Sequence, residues 1–403
     1  LATRKKSHND HEPAHDAHDQ HAACGHNHGS QHIYIYSPSS AVLDKAAFRR
    51  GVARLKAMGH EVEIDQDALA RSTRFAGDDE TRLAAIHRAA ASGADVALIS
   101  RGGYGLSRIL PGIKYKAVAK AVEKGTRFIG QSDFTALQNA LLAQTGATSW
   151  SGPSLVADIG VDGEPDDIML ACLDDLFTGH GEGSGWRMHH EKPLENGKAA
   201  VPDVYFQNAT LWGGNMAMLC SLLGTPYFPQ IKGGILFLED VAEHPYRVER
   251  MFAQLLQAGV LKHQKAIVMG QFTSYRLAPH DKGYKMQVAI DWVRSQIKAP
   301  VLTNLPFGHV ATKVLLPVGA NVSLSVEGRD ALIYWGMCTD SQCSVRRARA
   351  PAVGRSASLC GLHTLPGQGR DDQLNDASGQ HCRAQPLHVA AAEFRDGTKD
   401  GDA

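Results

Sequence analysis

A chain of 403 residues is long enough for two or three domains at about 150 residues each, and 43% hydrophobic with 21% charged residues is ordinary globular composition. Lys+Arg 42 balance Asp+Glu 42, which argues against a nucleic-acid or polybasic membrane binder held mainly by charge. No apolar run approaches the ~18 residues of a membrane span, and no apolar stretch follows Lys5 and Lys6 as a secretory signal requires, so a soluble cytoplasmic protein is expected.

In chain order, residues 1–32 carry eight of the 20 histidines and no apolar periodicity, so nothing there repays the entropy of ordering. Spacings such as His15-x2-His18-x2-His21 suit Zn, Ni or Cu. No carboxylate cage accompanies them, and the stretch is expected to be a disordered tail with no functional metal and no cofactor. Next, His32-Ile33-Tyr34-Ile35-Tyr36 reads as a strand ended by Ser37-Pro38, and residues 44–58 as a helix stopped at Gly59. Residues 61–64 form a second strand, 82–91 a helix, 94–99 a buried strand, 128–130 a strand end, and Phe134, Leu137 and Leu141 mark a helix. This alternation predicts an α/β fold whose N-terminal domain, 33–160, holds a parallel, flavodoxin-like sheet covered on both faces.

Residues 161–205 are rich in Gly, Asp, Glu and His and read as a linker with a loop. A smaller mixed α/β domain over 206–336 follows. Its helices are expected at 217–223, 247–256 and 291–297 and its strands at 234–238 and 265–270, with 314–317, 322–326 and 331–334 as closing antiparallel strands. Beyond Trp335 the pattern dissolves, and 337–403 is expected to be a second disordered tail. Its four cysteines, Cys338, Cys343, Cys360 and Cys382, match no zinc or disulfide spacing.

Ligands of parallel sheets sit beyond the carboxyl ends of the strands, which directs attention to two turns. In Gly130-Gln131-Ser132-Asp133 a serine stands between strand and helix, either as a nucleophile raised above the sheet or as a plain N-cap, a role open to Asp133 too. Arg101-Gly102-Gly103-Tyr104-Gly105 lets backbone N–H groups approach an oxyanion, but it lacks the Gly-Lys-Ser/Thr ending of a phosphate loop. Two further signals lie in the second domain. Leu238-Glu239-Asp240 ends an apolar strand in carboxylates, with Glu243 nearby as a competitor, and Pro306-Phe307-Gly308-His309 presents a histidine after a turn.

Considered together, SRGGYG (100–105), FIGQSDFTAL (128–137), GGNMAMLCSLLGTPYFP (213–229), ILFLEDV (235–241) and PFGH (306–309) resemble the LD-carboxypeptidase family, in family order. The resemblance implies Ser132 as nucleophile, His309 as general base and Glu239 as the carboxylate orienting the imidazole, with Asp240 and Glu243 as alternatives. It also implies the N–H groups of Gly103 and Asp133 as oxyanion donors, and a site between the two domains. For the free carboxylate of an exopeptidase substrate, Gly102, Tyr104 and Asn215 are candidates by motif position, with Arg101, Arg108 and Arg247 also open. One departure stands out: position 131 is usually aromatic in the family and is Gln131 here. The implied activity is release of the terminal D-Ala from murein tetrapeptide by a cytoplasmic homodimer that needs no metal. Alternatives are a peptidase of microcin C-type aminoacyl nucleotides, with Trp186 in the 161–205 loop as the surface for the base, and a catalytically silent binder of cell-wall peptides.

Overall fold

The computed structural model describes residues 29–190 and 201–335. The histidine-rich run up to His28 and the stretch expected as a C-terminal tail lie outside the described residues, as do its four cysteines. The first half runs β1 (His32–Tyr36), α1 (Lys45–Ala57), β2 (Glu61–Ile64), α2 (Asp79–Ala91), β3 (Val96–Ile99), α3 (Leu106–Ile109), α4 (Tyr115–Glu123), β4 (Arg127–Gly130), α5 (Phe134–Thr145) and β5 (Ser149–Ser151). The second runs α6 (Asp167–Thr178), β6 (Gly183–Arg187), β7 (Val204–Asn215), α7 (Met216–Ser221), β8 (Ile235–Val241), α8 (Pro245–Gln257), β9 (Ala266–Thr273), α9 (Met286–Gln296), β10 (Val301–Leu302), β11 (Leu316–Val318), β12 (Asn321–Glu327) and β13 (Asp330–Tyr334).

The first sheet has the order β2-β1-β3-β4-β5, all parallel, which is the doubly wound order anticipated from the strand–helix alternation. Every residue of β3 is buried, as a strand covered by helices on both faces requires. Each fully buried Val, Leu or Ile in it contributes about 1.5–3 kcal/mol. Local signals set the helix starts: Asp44 accepts from the Ala47 N–H at 2.8 Å and Asp78 from the Thr81 N–H at 2.8 Å, satisfying donors that the first turns leave open. The second sheet is mixed. Its β10-β9-β8-β7 portion is parallel and its β7-β12-β13-β6 portion antiparallel.

Two expectations need correction. The supposed linker 161–205 contains α6 and the edge strand β6, whose apolar residues Met169, Leu173 and Trp186 are buried. Glycine at 183 and 185 hid the strand, because residues without side chains give no alternating hydrophobic signal. The stretch at 314–317, assigned to the closing strands of the second domain, instead supplies β11, which pairs antiparallel with β5 and extends the first sheet. The chain thus returns to its first sheet after building most of its second.

Helix α5 occupies the junction. Nine consecutive residues from Phe134 to Leu142 are buried, so this helix has almost no solvent face. It reaches β7 through polar contacts that tolerate no slippage. The Asn139 side-chain amide donates to the Gly213 carbonyl at 2.8 Å, and the Asn215 N–H donates to Thr135 Oγ1 at 3.0 Å. Because β11 and α5 tie the halves together, Leu316→Ala is expected to cost about 2–5 kcal/mol for a buried cavity. Circular dichroism and tryptophan fluorescence should then report one shared urea transition; two separated transitions would show halves that unfold independently.

Candidate active site between the two sheets

The turn after β4 is the first component. Ser132 adopts φ +64°, a left-handed backbone that non-glycine residues rarely take and that costs on the order of 1–2 kcal/mol. The N-cap of α5 is Asp133, not Ser132, and it makes no capping bond: its carboxylate accepts from the Leu106 N–H at 2.9 Å. Burial pushes the Asp133 carboxyl up from its ordinary value, against the lowering effect of that N–H. The Ser132 hydroxyl is thereby released from the plain capping role. Opposite it lies Gly102, where an added Cβ would fall 2.8 Å from Ser132 Cβ and 3.1 Å from its Oγ, so only glycine permits this approach.

The Gly102–Gly103 turn is braced from several sides. The Tyr104 N–H donates to Ser40 Oγ at 3.0 Å, and the fully buried Arg82 donates to the Gly105 carbonyl at 2.7 Å while its guanidinium covers the Phe75 ring. The N–H groups of Gly103 and Asp133 donate to no protein acceptor among the described residues.

The second component comes from the other sheet. Glu239, 1% exposed at the end of β8, places Oε2 2.8 Å from His309 Nδ1. Its Oε1 accepts from the Asn215 amide at 3.2 Å, across the β7–β8 register that sets Asn215 opposite Glu239. Gly308, at φ +133°, lets the chain turn close to this carboxylate, where a Cβ would fall 3.1 Å from Oε2. Of the other carboxylates considered, Asp240 accepts from the Ala217 and Val241 N–H groups and from Asn215, while Glu243 pairs with Arg247. Only Glu239 meets the imidazole. Burial disfavours the His309 cation, but the hydrogen bond and charge of Glu239 outweigh it, so its pKa is raised, with Lys313 opposing and Asp240 assisting. Asp240 is pushed up to about 6, first by burial, then by the neighbouring Glu239 charge against its N–H donors.

A cavity of about 480 Å³ is lined by His309, by Gln131 next to the serine, and by Asp158 and Lys313 among others. Lys313, four residues beyond His309, is 1% exposed. Its Nζ meets Asp158 Oδ1 at 2.5 Å and Gln131 Oε1 at 3.1 Å, and Gln131 donates back to Asp158 at 3.3 Å. The segment carrying the imidazole is thus tied to the turn carrying the serine. This explains the polar residue at 131, since an aromatic side chain there offers Lys313 no acceptor. Sequence reasoning missed Lys313 and Asp158. The available signal was a lysine opening the apolar run Val314-Leu315-Leu316, where a charge must find a buried partner.

Asn215, one of the candidates for the substrate carboxylate by motif position, is buried and spends its amide on Glu239 and Asp240 while its oxygen caps α7 through the Met218 N–H at 3.1 Å. Trp186 does not offer a surface for a nucleotide base. It is 3% exposed within β6, with its indole N–H donated to the Thr303 carbonyl at 3.0 Å. Tyr104 remains exposed beside the turn, and Cys172 and Cys220 are buried with thiols each pushed up to about 12, chiefly by that burial.

A serine on a left-handed strand–helix turn, open backbone donors and an imidazole–carboxylate pair are the parts of an acyl-transfer hydrolase. The comparisons narrow that class. Residues 33–152 match the LD-carboxypeptidase N-terminal domain and 208–324 the LD-carboxypeptidase C-terminal domain. The chain is 30% identical over 288 residues to the probable murein peptide carboxypeptidase of Bacillus subtilis, a match covering 70% of this chain and 85% of the relative. It is similar at TM-score 0.67 and 38% identity to the crystal structure of muramoyltetrapeptide carboxypeptidase from Oxalobacter formigenes, over 76% of this chain and 99% of that one. The microcin C7 self immunity protein MccF, in complex with aspartyl sulfamoyl adenosine, shares the fold at TM-score 0.65 and 21% identity, over 77% of this chain and 97% of that one. The chain belongs to the LD-carboxypeptidase family of peptidases, as its motifs suggested.

Removing one member of a buried ion pair strands the other charge. Lys313→Ala is therefore expected to cost about 3–5 kcal/mol in urea unfolding, and Lys313→Met combined with Asp158→Leu to recover most of it. Equal losses in the single and double variants would show that the pair is not the source of the stability.

Proposed function

We propose that the chain is a serine carboxypeptidase that hydrolyses the amide between an L-centre and a terminal D-amino acid, releasing D-Ala from murein tetrapeptide. The observation that supports this reading is the buried Glu239 carboxylate on His309, in a segment that Lys313 ties to the Gln131–Ser132 turn. The murein peptide enzymes among its relatives favour the substrate class.

In the proposed reaction His309 takes the Ser132 hydroxyl proton as Oγ bonds to the scissile carbonyl carbon. The carbonyl oxygen becomes an oxyanion held by the Gly103 and Asp133 N–H groups, each such donor being worth about 3 kcal/mol in the transition state. As the tetrahedral species collapses, the C–N bond breaks and His309 passes its proton to the departing amine. Water then repeats the steps on the acyl-serine and frees the hydroxyl. Glu239 fixes the imidazole through Nδ1, which leaves Nε2 for proton transfer, and Asn215 holds Glu239 in place.

Ser132→Ala should fold normally and lose at least about 10³-fold in kcat/KM for D-Ala release, measured on purified tetrapeptide with a chelator present. Undiminished release would exclude the serine mechanism, and peptide binding without any release by the wild-type chain would indicate a binding protein. The pH profile tests His309 separately. The base must be neutral, so kcat/KM should rise with pH along a limb lying above the ordinary histidine value. Glu239→Gln should move that limb to lower pH while lowering the plateau about 10⁴-fold. The sign for stability is opposite: the raised pKa adds stability that is full below the ordinary histidine value and is lost as pH rises through the folded one.

A further inference from the structure

An exopeptidase must recognise a free carboxylate, and the arginines near the serine differ in what they already hold. Arg108 pairs with Asp79, Arg82 pairs with the same Asp79, and Arg247 pairs with Glu243. Arg101 is different. It is half-buried, it directly precedes Gly102, and among the described residues it forms no ion pair; its guanidinium donates only to the Ala41 carbonyl, at 3.1 Å. Arg101 Nη2 lies 3.8 Å from where a Cβ would stand on Gly103, so the guanidinium lies against the turn that approaches Ser132 at Gly102.

A second cation adjoins it. The Ala41 N–H donates to the Arg74 carbonyl at 2.9 Å, so both arginines are fastened to one residue, and the Arg74 guanidinium lies 5.8 Å from the Tyr104 ring centroid. Arg74 also forms no ion pair among the described residues. Partial burial, followed by the repulsion of Arg74, holds Arg101 below its usual basicity. Arg101 is half-buried and Arg74 exposed, and two like charges held together favour an anion between them. A planar guanidinium fork fits a carboxylate through two parallel hydrogen bonds.

We infer that Arg101, with Arg74 beside it, binds the free α-carboxylate of the substrate's terminal D-amino acid. This assignment rests on the carboxypeptidase reading. The carboxylate lies only two bonds beyond the scissile nitrogen, so a peptide acylating Ser132 delivers it next to the Gly102–Gly103 turn. Arg101 then selects for chain ends: an amidated peptide has nothing to neutralise the pair.

The test compares the free-acid tetrapeptide with its C-terminal amide, binding each by calorimetry to Ser132→Ala, which cannot turn over. The acid should bind at least tenfold more tightly than the amide. Adding Arg101→Gln should remove that preference by weakening the acid alone, Arg101→Lys should restore part of it, and Arg74→Gln should have a smaller effect. Equal binding of acid and amide, no binding of either, or a preference that survives Arg101→Gln would overturn the assignment. D-Ala release by the unmodified chain is measured alongside. Absence of release with the acid preference intact removes the proposed reaction and leaves the carboxylate site standing.

Discussion

The left-handed backbone at Ser132 is the constraint on which the site depends. A φ of +64° at a non-glycine residue survives only where the surroundings over-determine it. Here β4 is buried on the side that leads in, and α5 is buried along almost its whole length on the side that leads out. Neither can shift to relax the turn without opening the junction of the two sheets.

Aligning two halves of a site on different sheets is a separate problem, and three connections address it. Asn139 and Thr135 of α5 join β7, β11 returns the chain to the first sheet, and Lys313 bridges the His309 segment to Gln131 and Asp158. The buried ion pair offsets little of its own desolvation, so its value lies in specifying one geometry. The same charges act on the imidazole, where Glu239 and Asp240 raise its basicity and Lys313 draws it down. Asp158 pairs with that lysine. Proton affinity and alignment are therefore set by the same few residues.

Much of the first domain was legible from residues alone, because short apolar strands alternating with amphipathic helices allow few other arrangements. The candidates Ser132, Glu239 and His309 stood out only together: each has a bland reading, and the order of five motifs set them apart. What stayed hidden has physical reasons. Strand β6 owes its pairing to Gly183 and Gly185, which carry no hydrophobic signal, and β11 reads as part of the second domain until its partner β5 is known. Asn215 sits in a motif that marks its importance without indicating its direction. Only the geometry turns its amide onto two carboxylates. Trp186 looked free because its segment looked like a loop, and pairing in a sheet buried it.

The central claim is that Ser132 becomes covalently acylated. Replacing the terminal D-Ala of the peptide by D-lactate gives an ester, for which acylation outpaces deacylation and the acyl-enzyme accumulates. Acid-quenched turnover of this ester, followed by mass spectrometry of proteolytic fragments, should place the acyl mass on the fragment containing Ser132 and nowhere else. Steady turnover with no mass gain, or a gain on another residue, would contradict the account.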